Sequence, residues 1–116
     1  MVRIRDVIQE FEAKFHPTEL GAALAGRARG KAEWKVYGDG TRQCKVWLSG
    51  LTLSDGALLQ LSVSGQPLAA ILVRQGRSHY KRESERGENV PVVESRQVLQ
   101  ISYAGQVILE GELYPE

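Results

Sequence analysis

Near the start of the chain, apolar residues recur at spacings of three and four, the spacing of one face of a helix. Charged and polar residues occupy the positions between them. Pro17 would end such a helix, because proline has no amide hydrogen to donate to the preceding turn. The pattern predicts an amphipathic α-helix over residues 1–17. Its apolar stripe consists of Ile4, Val7, Ile8, Phe11 and Phe15.

Beyond Pro17 the pattern changes to alternating apolar and polar residues, interrupted by turns that contain glycine. Residues 28–37 and 41–48 alternate in this way around Gly38-Asp39-Gly40, a tight-turn sequence. Residues 59–63 give the clearest alternation in the chain. Turn signals at intervals of about 8 to 12 residues are typical of a β-sandwich or a small barrel.

Three further segments carry predictions about their place in the sheet. Residues 68–73 are apolar on both faces, which predicts a central strand or one that the N-terminal helix covers. Residues 90–93 include Pro91, which predicts an edge strand because proline cannot donate to a ladder. Residues 97–114 predict a closing hairpin.

We therefore expect a mainly β protein that folds as one domain, a common outcome for 116 residues. The expected architecture is a seven- to eight-stranded antiparallel β-sandwich of immunoglobulin-like type over residues 18–116, with the helix of residues 1–17 in front of it.

Three stretches of the β region resemble a pattern in bacterial β-sandwich domains of unassigned function. They are residues 46–56 (VWLSGLTLSDG), 61–65 (LSVSG) and 107–111 (VILEG). The resemblance covers about residues 28–113 and implies the sandwich fold, without implying an activity.

The charge balance and the cysteine content narrow the choice of partners. Fifteen Lys and Arg against fourteen Asp and Glu give a net charge of +1, which argues against nucleic acid as the main partner. Cys44 is the only cysteine, so no disulfide can form within the chain. The sequence contains neither a signal-peptide pattern nor an apolar stretch of about 20 residues. We expect a cytoplasmic protein with no membrane partner.

Catalytic and metal-binding patterns are weak. Ser78 and His79 are adjacent, but neighbours on a strand point to opposite faces and cannot pair as nucleophile and base. His16, Cys44 and His79 do not have metal-ligand spacing, and the glycines form no phosphate loop. We expect no enzymatic activity, no cofactor and no metal.

The densest basic segment follows the predicted strand of residues 68–73. It could bind phosphate, sulfated sugar or nucleic acid, but the glutamates at 83, 85 and 88 favour a hairpin held by salt bridges instead. A second basic group at residues 27–31 would change this balance if it converged with the first. The candidate anion-binding residues are Arg74, Arg77, Lys81 and Arg82.

Two functions stay open at this point. The first is a non-catalytic structural or interaction module that forms a homo-oligomer or binds a protein partner, through the apolar stripe or a strand edge. The alternative is a β-sandwich that binds a polysaccharide or another anionic polymer with Trp34, Tyr37, Trp47 and the basic hairpin.

Overall fold

The computed structural model describes residues 6–24 and 27–116, so the predicted contact residue Ile4 lies outside the described residues. The described chain forms nine β-strands, one α-helix and one 3-10 turn at Ser84–Arg86. In chain order these are β1 (Val7–Pro17), α1 (Glu19–Leu24), β2 (Arg29–Tyr37), β3 (Arg42–Ser49), β4 (Leu58–Val63), β5 (Gln66–Leu72), β6 (Ser78–Glu83), β7 (Val98–Tyr103), β8 (Gln106–Glu112) and β9 (Tyr114–Pro115).

The strands form one antiparallel sheet in the order β5-β4-β7-β8-β1-β2-β3-β6, with β9 paired to β1. Its end strands approach each other at the turn that joins them, where Arg74 and Arg77 form a β-bridge. The sheet is therefore nearly closed and barrel-like. The mainly β prediction is confirmed, whereas the two separate sheets of an immunoglobulin-like sandwich are not found among the described residues. β1 joins the two halves of the sheet, because it pairs with β2 along most of its length and with β8 at His16 and Pro17.

The predicted N-terminal helix is wrong, because Val7–Pro17 is a strand. Phe11, Ala13 and Phe15 are buried and alternate with charged residues, which is the period of a strand. Spacings of three and four also connect Phe11 and Phe15 to Val7 and Ile8, but Val7 is 44% and Ile8 68% exposed. The apolar stripe therefore has no common buried face.

The described helix, α1, comes directly after the position where the predicted helix was expected to end. Thr18 caps it, since its Oγ1 accepts a hydrogen bond from the Gly21 amide at 2.9 Å. The same hydroxyl donates to the Val107 carbonyl at 2.8 Å. Gly21 lies so close to β8 that an added Cβ would stand 1.7 Å from the Ile108 oxygen. A glycine is required here because α1 packs directly on the backbone of β8.

Several strand predictions are confirmed. The hairpin of β2 and β3 turns at Asp39 and Gly40, and the closing hairpin of β7 and β8 turns at Ala104 and Gly105. β4 buries Leu59 and the other members of its predicted face. These hairpins are local, so their turn residues are enough to specify them.

Two predicted positions need correction. Residues 68–72 of the strand predicted to be central or covered by the N-terminal helix lie in β5, which ends the sheet, and its outward-facing Leu72 is 40% exposed. Residues 90–93 form no strand, although Val90 and Val93 are buried. The Pro91 carbonyl instead accepts a hydrogen bond from Trp34 Nε1 at 3.0 Å, which holds this loop against the core.

No helix among residues 6–24 and 27–116 is long and apolar enough to cross a membrane.

Candidate functional site

A groove of about 1020 Å³ opens beside the turn between β5 and β6. Its basic residues come from four parts of the chain: β1, β2, the β5–β6 turn and β6. None of the described residues that line it is an aspartate or a glutamate. We call it the cationic groove, and its Lys and Arg residues are Lys14, Arg29, Lys31, Arg74, Arg77, Lys81 and Arg82.

The two basic groups of the sequence therefore meet in space, which was the condition for favouring anion binding. All four predicted anion-binding residues line the cationic groove, together with Arg29 and Lys31 of the second basic group. Arg27 belongs to the same sequence group but is not among the lining residues. The sheet order brings the groups together, because β2 and β6 flank β3 on its two sides.

Three of the groove cations have acidic neighbours, and two of these pairs lie within the predicted salt-bridged hairpin. Lys81 Nζ lies 3.9 Å from Glu83, and Arg82 Nε lies 3.5 Å from Glu88. Lys31 Nζ is 4.0 Å from Glu33. The lysine and arginine side chains of these pairs are 43–49% exposed. Solvent therefore screens the pairs, and each contributes little to stability.

The other four groove cations, Lys14, Arg29, Arg74 and Arg77, form no ion pair with any residue in the described part of the chain. Two of them, Arg74 and Arg77, hydrogen bond to each other through backbone atoms, which fixes the turn and leaves both guanidinium groups available. The groove therefore keeps a positive potential although the chain as a whole is almost neutral.

Two aromatic rings stand beside these cations. Trp47 on β3 and His79 on β6 are cross-strand partners, with ring centroids 5.7 Å apart and planes tilted by 35°. Lys31 Nζ lies 5.3 Å and Lys45 Nζ 6.0 Å from the centroid of the Trp47 ring. These distances are those of cation–π contacts. Trp47 is half-buried and His79 is exposed.

The other aromatic residues of the predicted ligand site do not join it. Trp34 is fully buried in the core on the inner face of β2, and Tyr37 at the end of β2 is not among the groove residues. Tyr80 lines the groove but is 6% exposed, and the Arg82 guanidinium lies 4.5 Å above its ring. Burial raises the pKa of Tyr80. Arg82 is therefore held by the protein as well as exposed to the groove.

Ser78 and His79 are not arranged as a nucleophile and a base. Ser78 is buried, and its Oγ donates to the Leu72 carbonyl at 2.9 Å, whereas His79 points outward to Trp47. Cys44 is also buried, and burial raises the pKa of its thiol to about 12. A thiol in this state is a poor nucleophile and a poor metal ligand.

One group of carboxylates was not foreseen from the sequence. Oxygens of Glu10, Glu33 and Glu116 lie within 4.8 Å of one another, and Lys35 Nζ lies 3.8 Å from Glu10. A hydrogen bond with Glu12, followed by desolvation and by repulsion from Glu10 and Glu12, raises the pKa of Glu116 to about 7. Three carboxylates suit a hard cation. Here Lys35 already reduces their repulsion.

Sequence reasoning missed Lys14, because it assigned this residue to the polar face of a helix. The signal was present in the order Phe11-Glu12-Ala13-Lys14-Phe15, which alternates apolar and charged residues without interruption. In a strand, that alternation places Lys14 on the face opposite to Phe15, where it reaches the groove.

Comparison with known proteins gives no relative: no protein family's sequence profile matches the chain, and no curated protein matches it.

Proposed function

We propose that this protein is a non-catalytic binding module for an anionic polymer, which it holds in the cationic groove. The observation that carries the proposal is that basic side chains from four parts of the chain line a groove with no acidic residue among its described lining. Long-range charge attraction would draw an extended polyanion to such a surface, and several contacts made at once would hold it.

The polar residues that the structure describes along this groove suit the binding of an anion. Ser78 and His79 point to opposite faces of β6, and the remaining polar lining residues are mostly lysines and arginines. The charge of these side chains attracts and holds a bound anion.

The proposal is tested by measuring the affinity of a fluorescein-labelled heparin octasaccharide by fluorescence anisotropy at several salt concentrations. The variant is Arg74→Gln with Arg77→Gln, which removes two charges that form no ion pair with any described residue and keeps the backbone bonds of the turn. We expect a loss of affinity of about tenfold or more at low salt, and a salt dependence that is smaller by about two ions.

The matched control is Arg96→Gln. Arg96 has an exposed side chain, pairs with Glu112 at 3.3 Å and lies outside the groove. Its variant should bind the octasaccharide as the parent does. Failure of the parent to bind any polyanion at low salt, or equal loss in both variants, would contradict the proposal.

Self-association through a strand edge is the weaker proposal. The predicted contact through an N-terminal helix is not retained, because residues 7–17 form β1 within the sheet. β5 and β6 end the sheet, but β5 contains Pro67 and β6 carries Lys81 and Arg82, residues that hinder edge pairing. Light scattering over a range of protein concentrations tests it, and a constant monomer mass would overturn it.

A further inference from the structure

One row of side chains crosses four neighbouring strands on the outer face of the sheet. Lys14 lies opposite Lys31, Lys31 lies opposite Trp47, and Trp47 lies opposite His79. Because neighbouring strands are about 4.8 Å apart, the row extends for roughly 14 Å. All four residues line the cationic groove. The row therefore places two cations and two aromatic rings along one line.

The lysine pair in this row does not stabilise the fold. Within the row, Lys14 stands directly opposite Lys31. Like charges in directly opposed positions destabilise an antiparallel pair. A ligand that carries regularly spaced negative charges would remove this repulsion.

The aromatic pair favours a ligand that has planar groups as well as negative charges. Trp47 and His79 present neighbouring rings 5.7 Å apart on the outer surface, although an indole gains by burial in a core, as Trp34 shows. Cations beside exposed rings on a sheet surface are the arrangement that single-stranded nucleic acids use, with phosphates on the cations and bases stacked on the rings. A sulfated sugar offers anionic groups to the cations but no planar base to stack on the rings.

We propose that the anionic polymer is single-stranded nucleic acid, with bases stacked on Trp47 and His79 and phosphates bound by Lys14, Lys31 and the arginines of the β5–β6 turn. This inference rests on the proposed function. The net charge of +1 argued against a nucleic-acid partner. That value is a sum over the whole chain, in which acidic residues outside the groove, including Glu10, Glu33 and Glu116, offset the groove cations. A duplex does not fit, because its base faces are already stacked.

The test compares three fluorescein-labelled probes by anisotropy: a twelve-nucleotide poly-dT strand, an abasic strand with the same number of phosphates, and a heparin octasaccharide. We expect poly-dT to bind roughly tenfold tighter than the abasic strand. Trp47→Ala should remove this difference and change heparin affinity by less than about twofold. Trp47→Phe should restore most of it, because phenylalanine keeps a ring for stacking.

His79→Ala provides the same test at an exposed position, so a loss of base preference there cannot come from a damaged core. Equal affinity for poly-dT and the abasic strand, or preference for duplex DNA, would overturn this inference. The proposed function would then stand, provided that heparin binding still depends on Arg74 and Arg77. Absence of binding to all three probes would overturn both.

Discussion

Lys14 of β1 lies directly opposite Lys31 of β2, so two ammonium groups share one cross-strand position on the outer face of the sheet. Four residues of β1 away, Glu10 lies opposite Lys35, with 3.8 Å between their charged atoms. The same pair of strands thus contains two repulsive pairs, the second being Glu12 with Glu33, and one attractive pair. Lys14 and Lys31 line the cationic groove, and the other four residues do not.

Lys14→Glu is therefore expected to raise stability and lower binding together. The new carboxylate would face Lys31, so we expect the free energy of unfolding to rise by about 0.2 to 1 kcal/mol in urea denaturation. Affinity for a polyanion should fall, because a negative charge enters the groove. Lys35→Glu is the matched control: it should lower stability, by placing two glutamates opposite each other, and leave polyanion affinity unchanged. Lower stability in Lys14→Glu would contradict the cross-strand assignment.

The two tryptophans are expected to behave oppositely. Trp34 is fully buried and donates to the Pro91 carbonyl, so Trp34→Phe loses a hydrogen bond and leaves a void. We expect it to lower the free energy of unfolding by about 1 to 3 kcal/mol, whereas Trp47→Phe should cost less than about 1 kcal/mol.

Acrylamide quenching provides an independent measurement on the same two proteins. Emission from Trp47→Phe, in which only Trp34 remains, should be blue-shifted and resistant to the quencher. Tryptophan emission from Trp34→Phe should be quenched readily, because the half-buried Trp47 is the only tryptophan left. Equal quenching of both proteins would show that Trp47 is not on the outer face.

The difference between these two residues also marks what the sequence could and could not predict. The turn Gly38-Asp39-Gly40 specifies the local hairpin, and the alternation along it places Trp34 and Trp47 on opposite faces. The ligand site predicted from the sequence nevertheless includes both residues, because alternation alone does not say which face is covered. β1 is different, because its apolar residues satisfy both a helical and a strand period. Its main partner is β2, which pairs along most of its length, and β8 and β9 add contacts from more than 80 residues away in sequence. This pairing with other strands decides for the strand.

The groove was predictable to a similar degree. The cations at 74–82 stood out as a dense basic segment, and their partners on β2 were recognised as a second group. Their convergence depends on β3 lying between β2 and β6, a sheet order that no local pattern specifies. Lys14 enters the groove only through the register of β1 with β2. Residues brought together by sheet order and register are therefore the ones that sequence reasoning missed.

The thiol of Cys44 is expected to be unreactive until the protein opens. Burial is the main cause that raises its pKa to about 12, and the side chain is fully enclosed. At pH 8, we expect a disulfide reagent to label the native protein at least about a thousandfold more slowly than the unfolded protein. The measurement is the release of thionitrobenzoate with and without guanidinium. Rapid labelling of native protein would contradict the buried position.

The carboxylate group around Glu116 predicts how stability changes with pH. A hydrogen bond with Glu12 is the largest cause that raises the pKa of Glu116, from 4.5 to about 7. Because the folded state holds this proton more tightly than the unfolded state, the contribution to stability is complete below about pH 4.5 and is lost as pH rises through about 7. In Glu116→Gln, the amide can donate to Glu12 at every pH. Urea denaturation at pH 5, 6.5 and 8 should therefore show the variant gaining stability relative to the parent as pH rises. Because the other titrating groups are common to both proteins, a pH-independent difference between them would contradict the shared proton.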